Sequence, residues 1–286
     1  MVHLAMLLHS VISAGTYLAA KRALGELSPF EVALVRFTLS GSIFALVLWR
    51  GRLRVERRDL RALIALGFVA IPLNQGLFLA GMAWTTPAHG SLLYALTPIF
   101  VFLIARAKLG ERATPLKLGG IALAFAGVVL VLVGRGSMAL DGSRRMVLGD
   151  LLVLLAVIAW AVFATAGKVY TERYGPVAFT GTAVAIGSLL YLPVGLAASD
   201  LHRLQALSAG GWASLGYLAV VTSVLAYLLY YWALAREEAS RVAVWSNLQP
   251  VLTALLSWAL TGERLTGPFL AGGVMVLAGV VLTERG

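Results

Sequence analysis

The sequence predicts an all-α, polytopic membrane protein in which ten transmembrane helices form two inverted five-helix repeats around a central cavity. Three observations lead to this prediction. The 286 residues are 60% hydrophobic and only 13% charged, and the mean hydropathy is +0.88. A stretch of 35 residues occurs twice. Each of the two larger units that contain this stretch has room for five membrane spans.

The composition indicates that the protein is embedded in a membrane. A soluble domain has about 25% charged residues, roughly twice the fraction found here, so the chain needs a lipid bilayer around it. The net charge of +10 lies in short gaps between apolar runs, which indicates membrane orientation and not nucleic-acid binding. Because the chain has no cysteine, disulfide frameworks, iron–sulfur centres and thiol catalysis are excluded. We expect neither a metal site nor a cofactor.

The duplicated stretch predicts the domain organisation. Residues 96–130 agree with residues 248–282 at 15 of 35 positions without a gap, whereas chance agreement in such a composition is roughly one position in ten. A match of this size indicates internal duplication. The identical pairs include Pro98 with Pro250, Gly110-Glu111-Arg112 with Gly262-Glu263-Arg264, and Gly127 with Gly279.

Ten apolar runs of about 20 residues are long enough to cross the hydrocarbon layer. The first is interpreted as a retained span and not as a signal peptide, because its positive charges, Lys21 and Arg22, follow it. Residues 62–105 contain no Asp, Glu, Lys or Arg and are divided by the turn at residues 84–87. The predicted spans are 4–21, 30–49, 62–83, 88–106, 116–133, 147–168, 177–198, 211–234, 241–261 and 267–283.

The distribution of Lys and Arg predicts the orientation. With the N-terminus in the cytoplasm, fifteen of these residues lie on the cytoplasmic side, seven lie outside, and only Arg36 lies within a span. Cytoplasmic loops of membrane proteins carry the excess of positive charge. Both termini are therefore predicted to be cytoplasmic, in a bacterial inner membrane.

The duplication extends to the first two spans of each unit. Lys21 pairs with Lys168, and Pro29 with Pro176, at an offset of 147 residues. The two units are residues 1–137 and 146–286. Because each has an odd number of spans, the second is inserted upside down, an architecture of transporters that bind a small-molecule substrate near the membrane midplane. The sequence leaves the oligomeric state open, a monomer included.

Several features together resemble the EamA-type transporters of the drug/metabolite transporter superfamily. They are the five-plus-five duplication, the Pro in spans 4 and 9, the Gly-Glu-Arg that follows each of those spans, the Gly-rich spans 5 and 10, and the Lys that ends span 1. The resemblance implies a basket of ten helices that moves small metabolites, often outward. The aromatic content is similar to that of the aromatic amino acid exporter branch.

Two sets of residues are predicted to act as hinges or gates. Pro98 and Pro250 lie inside their spans, where a proline frees a carbonyl that must face protein or water. They are interpreted as paired hinges, with a static kink as the alternative. The charged residues of the repeated Gly-Glu-Arg either form ion pairs between loops that close a gate, or cap helix ends. The candidate gate residues are Glu111, Arg112, Glu263 and Arg264.

Polar side chains at mid-membrane depth are candidate substrate ligands. Asn74 and Asn247 are predicted to face the cavity, because a buried amide needs hydrogen-bond partners that a substrate can supply. The adjacent Gln75 and Gln249 are left undecided between the cavity and helix packing. The alternative for all four is a hydrogen bond between helices, worth about 0.6 kcal/mol on average.

Deep aromatic side chains are a second class of candidate ligand. Phe78, Tyr94, Trp160 and Tyr227 lie away from the span ends, and Tyr231 follows Tyr227 by four residues on the same helical face. A Tyr hydroxyl is costly against lipid, which favours inward positions that offer stacking and cation–π surfaces. Core packing is the alternative for each one singly.

Three further residues are considered for the substrate site. Lys21 closes span 1, one turn after Tyr17, and either holds a substrate carboxylate or reaches the lipid headgroups. Arg36 lies inside span 2, where a charge normally faces the bundle interior. For Arg36 we expect an ion pair with Glu31 first and a substrate contact second.

The acidic residues bear on the mechanism. All thirteen lie in loops or at span ends, whereas ion coupling usually uses an acid inside the membrane. This favours facilitated diffusion of amino acids, aromatic ones above all, by alternating access. One alternative is a proton-coupled antiporter of drugs or cationic metabolites, with His9 or His89 as the titrating group. Another is a membrane enzyme acting on a lipid, but no enzyme motif is present, so we expect no enzymatic activity.

Overall fold

The computed structural model describes residues 1–134, 144–261 and 267–286. Within these ranges every regular element is a helix and no strand is present. The prediction of an all-α membrane protein is confirmed, because seven helical segments of the described residues are long and apolar enough to cross a bilayer. These segments are Val2–Leu24, Pro29–Arg50, Arg57–Trp84, His89–Leu109, Arg144–Tyr174, Pro176–Ala198 and Ala209–Leu234.

The first half of the chain begins with two uninterrupted helices. The second of them starts at a capping box, in which Ser28 and Glu31 each accept a hydrogen bond from the other's backbone N–H. The elements in chain order are α1 (Val2–Leu24), α2 (Pro29–Arg50), a 3-10 helix (Arg57–Asp59), α3 (Leu60–Phe68), a π-helix (Val69–Gln75), α4 (Gly76–Trp84), α5 (Pro87–Tyr94), α6 (Thr97–Leu109) and α7 (Pro115–Gly134).

The second half follows the same order of continuous and interrupted helices. Its elements are α8 (Arg144–Tyr174), α9 (Pro176–Ala198), a 3-10 helix (Leu201–Ala206), α10 (Ala209–Gly216), a π-helix (Tyr217–Ala226), α11 (Tyr227–Leu234), α12 (Ala239–Ala243), a 3-10 helix (Val244–Asn247), α13 (Leu248–Thr261) and α14 (Gly267–Arg285). Predicted spans 5, 9 and 10 correspond to α7, to α12 followed by α13, and to α14.

The two π-helices interrupt predicted spans 3 and 8 at corresponding positions. In the first, Pro72 has no N–H to donate to the helical ladder, which loosens the turn. In the second, the Ser223 hydroxyl donates to the carbonyl of Leu218, five residues earlier, which matches the wider spacing of a π turn. The sequence analysis did not predict either π-helix.

The prolines of the duplicated stretch lie beside a second kind of interruption. The helix breaks at residues 95–96 and in the 3-10 helix Val244–Asn247. Pro98 and Pro250 lie just after these breaks, in the first turns of α6 and α13. A proline there costs no helical hydrogen bond, because the first N–H groups of a helix are unpaired in any case. Each interruption therefore precedes its proline and is not centred on it.

Glycines bring α7 and α14 into backbone contact. A methyl group at Gly120 would lie 2.7 Å from the carbonyl oxygen of Gly279, and one at Gly127 would lie 2.6 Å from that of Gly272. Only a residue without a side chain lets two helices approach this closely. The corresponding helices α2 and α9 also pack against each other. The two halves are thus joined by pairs of corresponding helices.

Candidate functional site

A cavity lies between the helices of the two halves. The two π-helices and the 3-10 helix Val244–Asn247 all contribute residues to its wall. Their side chains point in directions that differ from those of a regular α-helix. The lining residues are His9, Ser13, Thr16, Tyr17, Arg36, Gln75, Phe78, Tyr94, Trp160, Thr222, Ala226, Tyr227, Tyr230, Ser246 and Gln249.

The first half supplies one aromatic group, formed by Tyr17, Phe78 and Tyr94. The three ring centroids are 5.7 to 6.1 Å apart, and all three pairs meet edge to face. This is a favourable arrangement of aromatic rings. Phe78 and Tyr94 were predicted from their depth and Tyr17 from its place one turn before Lys21, and all three line the cavity. We call them the first aromatic cluster.

The second half supplies another group, formed by Trp160, Tyr227 and Tyr230. The Trp160 ring lies 5.3 Å from that of Tyr227 and 5.2 Å from that of Tyr230. Trp160 and Tyr227 were predicted site residues, whereas Tyr230 was missed. We call this group the second aromatic cluster. The cavity therefore has an aromatic wall from each half.

Hydrogen bonds connect α1 to the second half across the cavity. The Tyr17 hydroxyl donates to Gln249 Oε1 at 2.8 Å, and the hydroxyls of Thr16 and Thr222 are 2.9 Å apart. His9 Nδ1 lies 3.0 Å from the carbonyl oxygen of Ala226. Because a carbonyl only accepts, this ring nitrogen carries a proton and donates it. Gln249, which the sequence left undecided, lines the cavity.

Arg36 lies in the cavity wall, with 1% of its surface exposed. Its Nε donates to the Ser223 hydroxyl at 2.8 Å. The expected ion pair with Glu31 is wrong. Glu31 is held by its capping box and accepts a further hydrogen bond from the backbone N–H of Asp200 at 3.1 Å. The capping geometry thus turns this carboxylate away from Arg36.

Three predicted ligands are buried outside the cavity lining. Asn74 is fully buried, and its amide nitrogen donates to the Tyr94 hydroxyl at 3.2 Å and to the Ala156 carbonyl at 2.6 Å. It therefore holds Tyr94 in place. Asn247 is fully buried, and its amide atoms have no hydrogen-bond partner among the residues that the structure describes. Tyr231 is the third.

Tyr231 lies outside the cavity lining, in an aromatic core that adjoins the second aromatic cluster through Tyr230, whose ring centroid is 5.5 Å away. Its ring packs 5.3 Å from that of Phe163 and 5.0 Å from that of Phe179. The ring is completely buried. Tyr231 follows Tyr227 by one helical turn, as expected. Phe179 of α9 packs against Tyr231 there, so this side chain does not line the cavity.

Lys21 caps a helix end outside the cavity lining. Its ammonium donates to the carbonyl oxygens of Met82 at 3.1 Å and Thr85 at 2.7 Å. These carbonyls belong to the C-terminal end of α4, where the helix has no donors of its own. A cation is also favoured there by the helix dipole.

Lys168 makes the same two bonds in the second half. Its ammonium donates to the carbonyl oxygens of Leu234 at 2.6 Å and Glu237 at 2.7 Å, at the end of α11. These acceptors follow Met82 and Thr85 by 152 residues each (234 − 82 and 237 − 85), the offset of the duplicated stretch. The sequence paired the two lysines correctly without indicating what they bind.

The Glu111 carboxylate joins the end of α6 to the start of α12. It accepts hydrogen bonds from Ala239 N at 2.6 Å, from Ser240 N at 3.4 Å and from the Ser240 hydroxyl. Lys117 is fully buried beside it, with Nζ 3.8 Å from the carboxylate, and forms an ion pair with Glu238. We call this set of contacts the α6–α12 latch.

The other three candidate gate residues are outside this latch. Arg112 is exposed. Glu263 and Arg264 lie outside the described residues.

The sequence analysis did not single out the polar stripe on α1. His9, Ser13 and Thr16 lie at spacings of four and three residues, which places them on one face of an otherwise apolar helix. All three line the cavity. Thr222 and Ser246 also line the cavity and were not singled out from the sequence. A search for polar residues at helical spacing would have found the stripe.

The comparisons with known proteins agree over almost the whole chain. The EamA-like transporter family matches residues 1–133 and 147–285. A protein of Archaeoglobus fulgidus named "Uncharacterized transporter" is 31% identical over 283 residues, which cover 98% of this chain and 96% of the relative. The "Uncharacterized inner membrane transporter YedA" of Escherichia coli strain K12 is 27% identical, over 96% of this chain and 87% of the relative.

One comparison with a solved structure supports the fold. The crystal structure of a protein with 18% sequence identity superposes with a TM-score of 0.78, over 99% of this chain and 97% of the other. At this identity the likeness concerns the fold alone.

Proposed function

We propose that this chain, which belongs to the EamA-like transporter family, exports small amphipathic metabolites, with aromatic amino acids as its preferred cargo. The chain is a membrane transporter, as its relatives are named, and we place it in a bacterial inner membrane. The observation that carries the proposal is the cavity between the halves, which has an aromatic cluster on each side and hydroxyl and amide groups between them. Aromatic walls with few polar groups suit a flat amphipathic substrate.

The proposed architecture is ten spans in two inverted halves with both termini in the cytoplasm. Three observations support it. The π-helices recur at corresponding positions, corresponding helices pack in pairs, and Lys21 and Lys168 cap corresponding helix ends. Two similar halves of opposite orientation can exchange conformations, which opens the cavity first to one side and then to the other.

The gate and hinge roles are assigned as follows. In the proposed orientation the α6–α12 latch lies on the cytoplasmic side and closes the cavity there. Pro98 and Pro250 lie next to the breaks at residues 95–96 and Val244–Asn247, which serve as the hinges. Ser246, in the second of these breaks, lines the cavity, so a hinge movement reaches the substrate directly.

Transport is proposed to be facilitated diffusion. Within the described part of the chain no Asp or Glu lines the cavity, and ion coupling usually relies on such a residue. His9 is the group that a proton-coupled antiporter would use, since it lies in the lining. Its two ring nitrogens are engaged, one with Ala226 O and the other with the Ser13 hydroxyl at 3.3 Å, as in a neutral, structural histidine.

Transport of labelled tryptophan into liposomes that contain only this protein tests the proposal. We expect downhill uptake that survives an uncoupler and falls at least tenfold in Trp160→Ala, because an aromatic wall of the cavity is lost. Trp212→Ala is the matched control, since Trp212 is 48% exposed and uptake should stay within twofold. Absence of uptake by the folded protein would refute the proposal. Uptake that stops with the uncoupler would favour the antiporter.

A further inference from the structure

The guanidinium of Arg36 is a buried positive charge in the cavity wall. Arg36 is among the largest fully buried side chains of the described residues. It lies seven residues after the start of α2, so the charge is inside the membrane-spanning segment. An arginine carries five N–H donors in a fixed planar fork and stays protonated. Such a group needs several acceptors.

The protein supplies only part of what this group needs. Nε donates to the Ser223 hydroxyl, which in turn donates to the Leu218 carbonyl at 2.9 Å. The guanidinium carbon lies 4.8 Å from the centre of the Phe37 ring. Nη1 has no hydrogen-bond partner in the described parts of the chain, although it is buried. Ser223 thus fixes the orientation of the fork and leaves Nη1 without a partner.

No carboxylate neutralises this charge among the residues described. The cavity lining contains tyrosine and serine hydroxyls and the amides of Gln75 and Gln249, but no Asp or Glu. Removing a cation from water without a counter-ion costs several kcal/mol, so a buried cation normally pairs with an anion. The remaining place for that anion is the cavity.

We propose that Arg36 binds the carboxylate of the transported substrate, and that the cavity therefore selects aromatic carboxylates over the corresponding amines and amides. This rests on the proposed transport function and assigns the chemistry of the same site. A carboxylate matches the geometry of the fork and forms charge-assisted hydrogen bonds with it. One guanidinium among neutral groups balances the charge of one carboxylate group. The aromatic clusters then contact the apolar part of the substrate.

Four ligands of similar size but different charge test whether the site binds the carboxylate group. They are 3-phenylpropionate, phenylalanine, 3-phenylpropanamide and phenethylamine, each tested on the purified full-length protein in detergent by the rise in its unfolding temperature. We expect the two carboxylates to stabilise the protein and to bind at least tenfold more tightly than the amide or the amine. If the amine or the amide binds as tightly as 3-phenylpropionate, or if no probe binds, the proposal is wrong.

Variants of Arg36 test the residue itself. Arg36→Gln should lose at least tenfold in affinity for both carboxylates and leave the weak binding of the amide unchanged. Arg36→Lys keeps the charge but not the fork, and should retain an intermediate affinity. The exposed Arg106→Gln is the control and should match the unchanged protein. Carboxylate affinity that is unaltered in Arg36→Lys and Arg36→Gln contradicts the proposal. If Arg36→Gln does not fold, the probe series and Arg36→Lys decide.

Uptake by liposomes separates this inference from the proposed function. Selective carboxylate binding without uptake of any probe would refute transport and leave the Arg36 site standing. Uptake of amine and carboxylate at equal rates would refute the Arg36 site and leave transport standing.

Discussion

At the scale of single residues, Lys21 and Lys168 show one interaction used twice. Each ammonium pairs with two carbonyl oxygens at the C-terminal end of an interrupted span, and the four acceptors keep the offset of the duplication. Helix ends leave four carbonyls without intrahelical partners, and lipid offers no donor to replace them. The two lysines therefore stabilise the helices that carry the π-helices.

Replacing Lys21 or Lys168 with Met keeps the apolar stem and removes the charged donor. A hydrogen bond to a charged group contributes about 1.5–3 kcal/mol, so we expect each variant to unfold at least about 3 °C lower in detergent. The double variant should show the sum of both effects, because the sites do not share partners. Lys108→Met, at an exposed position, should change little. Equal shifts in all three single variants would show that the capping bonds do not stabilise the protein.

The aromatic site residues could be predicted from depth, but not the helix face on which each lies. Trp160 and Tyr227 line the cavity, whereas Tyr231 packs outside the lining against Phe179. These spans are apolar on all sides, so no polar face distinguishes the cavity side from the packed side. For the same reason Asn74 was misjudged, whereas the adjacent Gln75, which was left undecided, lines the cavity, since neighbouring residues point about 100° apart. Depth follows from position in a span, while direction depends on tertiary packing.

At the scale of elements, the positions of the spans were predictable and their interruptions only in part. A run of about 20 apolar residues is required by the thickness of the bilayer, and the helices follow these runs. The breaks beside Pro98 and Pro250 were anticipated through the prolines. The π-helix at Tyr217–Ala226 contains no proline. It includes a hydrogen bond from the Ser223 hydroxyl to the Leu218 carbonyl, and no sequence motif predicts this bond.

The α6–α12 latch leads to a prediction for the side of the membrane that we propose to be cytoplasmic. Glu111→Gln removes the charge that accepts three hydrogen bonds at the start of α12. We expect this to weaken the latch and to raise labelling of Ser246→Cys by a maleimide severalfold from the cytoplasmic side. The chain has no cysteine of its own, so this label is specific. Arg112→Gln, one residue further along and exposed, should leave labelling unchanged. Unaltered labelling in Glu111→Gln would mean that these contacts do not close the cavity.

At the scale of the whole molecule, the contact of α7 with α14 is the most extensive connection between the halves in the described residues. The glycines of the duplicated stretch form small-residue faces that suit packing against either the other half or another protomer. The structure answers this question in favour of the other half. The sequence could not decide, because a small-residue face fits any partner of matching shape.

Two adjacent glycines provide a matched test of this contact. A methyl group at Gly120 would meet the backbone of Gly279 and Thr283, whereas one at Gly119 has open space around it. We expect Gly120→Ala to lower the free energy of unfolding by about 1–3 kcal/mol through overpacking against backbone that cannot yield. Gly119→Ala should be neutral or slightly stabilising, since alanine favours the helix. Thermal unfolding in detergent compares the two. Equal behaviour of both variants would argue against close backbone contact.

The glycine contact also has a symmetry. Gly120 corresponds to Gly272 in the duplication, and Gly127 corresponds to Gly279, yet Gly120 meets Gly279 and Gly127 meets Gly272. Exchange of partners in this way defines an isologous surface, the kind by which two identical chains associate about a twofold axis. The present polypeptide thus carries, inside one molecule, the interface of a homodimer. In the inverted architecture proposed above, two copies of a half-length chain would meet through the same four glycines.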